Sequence, residues 1–434
     1  MNASNVARFG GLTLTAALLA SVATPSLAGS FYLQEQSARG AGRAYSGEAA
    51  DTGVSSMWWN PASIARSGRE VYVGMHGLLL DSDVDNAGST ITYPGGTTVP
   101  VQGQAHNGDP IESGIVPNFA ISTPIGDRFA VGLAVEAPYN FTTKYQPGSF
   151  ARYDALTSEL RSANVSVVGA MKVTDWLDLG VGVDAQYVKA KLTSALPNLS
   201  PLLADGNSSL EGDGWDYGWN VGAQAHTGRW NFGLSYRSKI EHELDGDVAI
   251  TGLLGPIAAG NYTGSGTASF NTPWFASASV RYAVNDKLTL NAQVNRIGWS
   301  EFDAIRVRYA TTGGDTYIQD YKDVTTGAVG FDYVANDRVT FRGGIGYDPT
   351  PTRDDERTAR IPDADRWLFS GGVSVKATDS MTVDTGLTYI AFSDSDIASS
   401  HTSYAGTAAA TTSTLRGTAE GYGIGASVGV RWAF

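Results

Sequence analysis

Cysteine is absent from the 434 residues, so neither disulfides nor thiolate metal sites can hold this chain together. Histidine is scarce. His76, His106, His226, His242 and His401 are the only five, and none sits in a nucleophile or metal motif, since "EHELDG" lacks the second histidine of HExxH. We therefore expect no catalytic residue, no metal site and no cofactor. Charged residues make up 17%, and the net charge of -13, or -14 once Arg8 leaves with a leader, opposes nucleic acid, which requires a basic surface.

Long apolar runs are missing as well, with one exception. The opening "MNASNVARFGGLTLTAALLASVATPSLA" has a single Arg, an apolar middle and small residues at Ser26 and Ala28, and reads as a signal peptide over residues 1–28, cleaved near Ala28. Beyond it no stretch approaches the roughly 20 apolar residues of a spanning helix. An exported chain that crosses a membrane without one must do so as a closed barrel. A mean hydropathy of -0.13 looks soluble, but barrels hide their apolar surface on alternate residues.

What is present fits that reading. Gly 52, Tyr 20 and Trp 10 suggest many strands and tight turns. The chain ends "GYGIGASVGVRWAF", with Tyr422, Ile424, Ala426, Val428, Val430, Trp432 and Phe434 on one parity and Gly, Ser and Arg on the other. Short turn signals recur in "PIGDRF", "KVTDWL", "HTGRWN", "VNDKLT", "ANDRVT" and "ATDSMT", each flanked by the same alternation. In "RFAVGLAVEAPY", Phe129, Val131, Leu133, Val135 and Tyr139 oppose Gly132, Ala134 and Glu136. About fourteen strands can be drawn in this way. The connections between the hairpins, near residues 81–113, 140–161, 191–213, 242–268, 300–320, 349–365 and 394–418, are long. Short turns at one rim and long loops at the other predict an all-β transmembrane antiparallel barrel over residues 67–434, with turns in the periplasm and loops outside. A secreted β-sandwich or β-solenoid is the alternative, and it leaves that asymmetry unexplained.

Residues 29–66 fit no strand pattern and are too long for a lead-in. They are either a periplasmic tail or a hatch folded inside the barrel, with Met57, Trp58 and Trp59 as apolar filling before the Asn60-Pro61 turn. The stretch "EQSARGAGRAYSGEAA" followed by "NPA" resembles the N-terminal signature of the FadL family of outer-membrane transporters for long-chain fatty acids and other hydrophobic compounds. "GDGWDYGWNVG", "YRSKIEHELDG", "DKLTLNAQV" with "WSEFD", "YKDV" and "RIPDADRWLFSGG" extend the resemblance in family order over nearly all of the mature chain.

The resemblance implies fourteen strands, a hatch that closes the lumen, and passive uptake with release sideways where the third strand kinks. It implies a monomer in the bacterial outer membrane, surrounded by lipid and lipopolysaccharide, whose cargo is a long-chain fatty acid or other hydrophobic small molecule. Phe31 corresponds to a family Phe that reaches the ligand. Lys322 in "YKDV" and Lys189 in "QYVKAKL" fall where the family binds a carboxylate, although strand parity points Lys189 outward. Tyr321 stands where the family has Trp.

Parity alone places Arg237, Lys239, Lys322 and Arg342 on the lumen side, either as ligand cations or as partners of Glu241, Asp332 and Asp348. Arg237 joins Lys322 and Lys189 as an expected carboxylate ligand. Phe31, Trp58 and Trp59 are the expected apolar contacts, Asn60, Pro61 and Ala62 the expected gating motif, and Glu136 and Pro138 mark the exit strand. Pro138 either breaks the wall or ends the strand. In the outer loops Leu199, Leu202, Leu203, Leu253 and Leu254, with Leu196 and Ile257, form either a greasy landing groove or plain loop packing. A general diffusion porin, an aromatic-hydrocarbon carrier of the same family and an outer-membrane phospholipase are the competing functions.

Overall fold

The computed structural model describes residues 30–310 and 313–434, so the expected signal peptide lies outside it. Among the described residues fourteen antiparallel strands follow one another round a cylinder. The first strand, Glu70–Asn86, closes the ring on the last, Thr411–Ala433, with Glu70 opposite Ala433 and Asn86 opposite Gly417. Closure joins the two end strands, so the sheet has no free outer edge in lipid; one stretch of the second strand is left unpaired on one side. Among the described residues no helix is long and apolar enough to cross a membrane.

The period-two pattern decides which face meets lipid. Tyr422, Ile424, Val428, Trp432 and Phe434 are exposed on the outside, whereas Gly423, Gly425, Ser427 and Gly429 are buried against the interior. The strands run well past this greasy band. The fifth extends over Leu177–Leu196 and the sixth over Gly206–Thr227, so most of the connection expected at 191–213 is strand. Above the lipid the outward positions become charged, as at Lys189, Lys191 and Glu211, and the large-apolar signal disappears while the ladder continues.

Residues 30–66 fill the bore. They fold as short capped turns: Ala38–Ala41 is capped by Ser37, whose Oγ accepts from Gly40 N at 3.0 Å, and Pro61–Ile64 by Asn60, whose Oδ1 accepts from Ala62 N at 2.9 Å. Nearly every residue of the segment is buried, and its contacts span much of the circumference. Asn60 Nδ2 donates to the carbonyls of Ala223 and Leu234, Ala49 N donates to Gln293, and Arg43 pairs with Asp332.

Glycines on the inner wall make this contact possible. A Cβ at Gly233 would lie 2.0 Å from Ala49 O, and one at Gly344 2.2 Å from Arg43 O. A Gly233→Val variant is therefore expected to assemble its barrel but fail to seat the segment. Trypsin should cut it at Arg39 or Arg43, where the wild type resists; equal resistance would mean that the wall yields instead.

Candidate functional site

Ladder hydrogen bonding fails at one place in the third strand, which runs Phe129–Glu136 and resumes at Asn140–Lys144. Its pairing with the second strand ends at Phe119 opposite Val135. Beyond the break it pairs with the fourth strand, and it regains the second-strand side only at the Ile111–Thr143 bridge. Between these points Gly114–Asn118 have no ladder partner on this side. Pro138 lacks the N–H that pairing needs, and the strand bends inward there. The N-terminal segment takes up the pairing: Leu33 N donates to Pro138 O at 2.7 Å and Asn140 N to Phe31 O at 3.1 Å. The bend also turns Tyr139 into the interior, 2% exposed, where unbroken parity would have pointed it at lipid. Leu33, Val116 and Ala137 pack together behind the gap, and Gln36 Nε2 donates to the carbonyls of Leu33 and Ala137. Glu136, beside the break, is buried against Asn164.

Next to this gap lies a narrow apolar cavity: the space between its atoms, part of it continuous with solvent, is about 770 Å³, of which about 60 Å³ is open to the centre of a water-sized sphere. Its inward walls come from Leu160, Leu192, Leu210, Leu244, Phe270 and Phe302, and Phe31 and Phe141 join it to the gap. Phe31 sits among four rings, with centroids 4.8 Å from Trp299, 5.0 Å from Phe302, 5.8 Å from Tyr139 and 5.9 Å from Phe141. Trp299 and Phe302 reach inward because the ninth strand is interrupted between Ile297 and Ala304.

Among the described residues one cation borders the cavity with no carboxylate within ion-pair distance, although Asp154 is near enough to feel its charge. Arg360 is 6% exposed, and its only side-chain hydrogen bond among the described residues goes from Nη1 to Ser158 Oγ at 3.1 Å. Arg360 and Gln319 also line a larger vestibule that opens outward between the loops.

The cations chosen from sequence lie elsewhere. Lys322 is exposed: its strand starts at Val324, so the parity count that sent it inward does not apply, and Tyr321 is the buried neighbour. Lys189 lies on the outward side and pairs with Glu211 at 2.8 Å. Arg237 does face the bore, but Asp184 at 2.6 Å and Trp58 O at 3.1 Å occupy it. Its guanidinium lies 3.8 Å from the Trp58 ring centroid. Trp58 also donates to Tyr32 OH at 3.1 Å, and with Trp59 it lines a small separate cavity. Pro61 and Ala62 lie against Gly180 towards the periplasmic rim, where Arg66 pairs with Asp178 at 2.6 Å. Of the residues expected to touch ligand, only Phe31 lines the apolar cavity. Trp299, Phe302 and Arg360 lie in "WSEFD" and "RIPDADRW", stretches that carry the family resemblance, but nothing local in them shows which residues turn inward.

In the outer loops Leu202, Leu203 and Leu254 are exposed, whereas Leu253 and Ile257 are buried and Leu199 is partly so. Asn198 ties the two loops together by accepting from Leu254 N and donating to Gly252 O.

Towards the periplasm the plug is held by charge. Arg43 meets Glu48 at 2.6 Å, Asp51 at 2.5 Å and Asp332 at 3.0 Å, and Arg39 and Arg281 also reach Asp51. Burial would raise the Asp51 carboxyl, but Arg281, Arg39 and Arg43 outweigh it and hold it well below the usual range. At Glu35 burial outweighs the Arg366 charge and pushes the carboxyl up to about 7.

A family model described as outer membrane protein transport protein (OMPP1/FadL/TodX) matches residues 19–434. The long-chain fatty acid transport protein of Escherichia coli K12 is 28% identical over 417 residues, covering 86% of this chain and 90% of that one. Outer membrane protein P1 of Haemophilus influenzae is 28% identical over 415 residues, covering 87% and 89%. A solved Pseudomonas aeruginosa FadL homologue superposes with a TM-score of 0.81 at 22% identity, over 93% of this chain and all of that one. The Ralstonia pickettii toluene transporter TbuX gives 0.64 at 20%, over 92% and 98%. These two likenesses speak for the fold.

Proposed function

The chain belongs to the OMPP1/FadL/TodX family of outer-membrane transport proteins, and from that premise we propose that it carries long-chain fatty acids, and hydrophobic compounds of similar girth, inward across the bacterial outer membrane. Cargo is captured at the loops and held in the apolar cavity. It then leaves sideways through the gap beside Pro138. The protein works as a monomer with lipid and lipopolysaccharide against its aromatic outer face, and it alters no bond in its cargo.

The observation that carries this reading is the apolar cavity, bounded by Phe31 at the gap and by Arg360 at the vestibule. A tail gains about 0.8 kcal/mol per buried methylene there. A carboxylate leaving water needs a charged donor, and Arg360 is buried, fork-shaped and free of any carboxylate within ion-pair distance among the described residues. Residues 29–66 act as the hatch, with Asn60, Pro61 and Ala62 as its periplasmic hinge; Trp58 and Trp59 fill it. Lys189 and Lys322, outside the cavity, serve at most in first capture at the surface.

Uptake of labelled oleate and of toluene by cells with and without the gene tests the proposal. Arg360→Ala should cut oleate uptake about tenfold, the worth of one charged hydrogen bond, and leave toluene uptake near wild type. An equal loss of both would make Arg360 a packing residue, and no gene-dependent uptake of either would end the reading.

A diffusion porin is the second reading, and the filled bore weighs against it. Aromatic hydrocarbons remain within the proposal, because the cavity walls are blind to whether apolar cargo carries a head.

A further inference from the structure

The vestibule above the apolar cavity has a chemistry that a bare carboxylate does not use. It holds about 1580 Å³ of space between atoms, open to solvent. Among its described lining residues the carboxylates are Asp154, Asp315 and Glu356, against one guanidinium, Arg360, which lies at the junction with the cavity. Tyrosines complete the wall: Tyr317 lies 5.7 Å from the Arg360 guanidinium, and Tyr309 donates its hydroxyl to Asp315.

A fatty acid would satisfy Arg360 and add another negative charge to a space already rich in them. An amphiphile carrying an anion beside its tail and a cation one short link further out would match both parts, since aromatic faces and carboxylates together favour a quaternary ammonium. We propose that the vestibule receives the head of a single-chain zwitterionic lipid of the lysophosphatidylcholine class, with its phosphate on Arg360, its trimethylammonium among Glu356, Asp315 and the tyrosines, and its acyl chain in the apolar cavity. The inference rests on the transport reading above and extends its substrate class.

The test is displacement of a fluorescent fatty acid from the purified full-length protein, using myristoyl lysophosphatidylcholine, myristoyl lysophosphatidylglycerol and myristate, all below their micelle concentrations. The two lysolipids share tail and phosphate and differ in the terminal cation. Lysophosphatidylcholine should compete about tenfold better than lysophosphatidylglycerol, and Glu356→Gln, a change at an exposed loop position, should shrink that ratio several-fold. Raised salt should shrink it too, because the site is solvated. Equal competition by the two lysolipids, or a ratio unmoved in Glu356→Gln, overturns the inference while the transport reading stands. If myristate itself fails to displace the probe, the cavity is not a fatty-acid site and both fall.

Discussion

Cells producing Arg43→Met are expected to become leaky. Arg43 is fully buried and holds Glu48, Asp51 and Asp332 at once, so its loss leaves three carboxylates sharing only the remaining arginines. Breaking a buried pair from one side costs about 3–5 kcal/mol, a large part of what can hold a 37-residue stopper in place. The ladder that closes the ring between the first and last strands contains no plug residue. The variant should therefore still reach the membrane but admit a bulky hydrophilic antibiotic to which the wild type is resistant, and in planar bilayers it should show ion current where the wild type shows almost none. A tight Arg43→Met barrel would mean that contacts such as Asn60 and the wall glycines hold the plug without help from charge.

Ala137→Trp is expected to stop uptake without opening the bore. Ala137 is 7% exposed and packs with Leu33 and Val116 behind the unpaired stretch Gly114–Asn118. An indole there overfills the passage by far more than a methylene, the scale at which packing costs reach about 1–3 kcal/mol. A barrier increase of only ~1.4 kcal/mol slows passage tenfold. Oleate and toluene should be affected alike, since both use the same exit, which separates this variant from Arg360→Ala. The folded barrel can be verified by its heat-modifiable mobility in detergent gels. Normal uptake by a properly folded Ala137→Trp would place the exit elsewhere.

Sequence made the barrel legible because lipid imposes one rule, large apolar residues outward on alternate positions, and the terminal strand obeys it from Tyr422 to Phe434. The rule stops where lipid stops. Lys189 and Lys191 continue the fifth strand with charged outward residues, so the upper ladder read as loop. It also stops where pairing breaks. Beyond Pro138 parity reversed for Tyr139, and the interruption before Val324 sent Lys322 to the surface. The cavity is assembled at such interruptions: Trp299, Phe302 and Tyr139 face inward because their strands are locally irregular, a property of tertiary packing that period-two reading misses. Arg360 belongs to a loop segment, where the alternation that sorts strand residues into inner and outer faces does not operate. Only resemblance marks Phe31, since no periodicity picks out a single ring in an irregular segment.

The central claim is that cargo leaves through the wall and not through the floor. Photolysis of an oleate analogue bearing a diazirine near its tail, bound to the wild-type protein in lipid nanodiscs and mapped by mass spectrometry, tests it most directly. The account predicts adducts at Phe31, Phe141 and Phe302 in the cavity and at Gly114–Asn118 and Ala137 around the gap. Adducts running instead down the bore to Asn60, Arg66 and the periplasmic turns, with none at the gap, would contradict it.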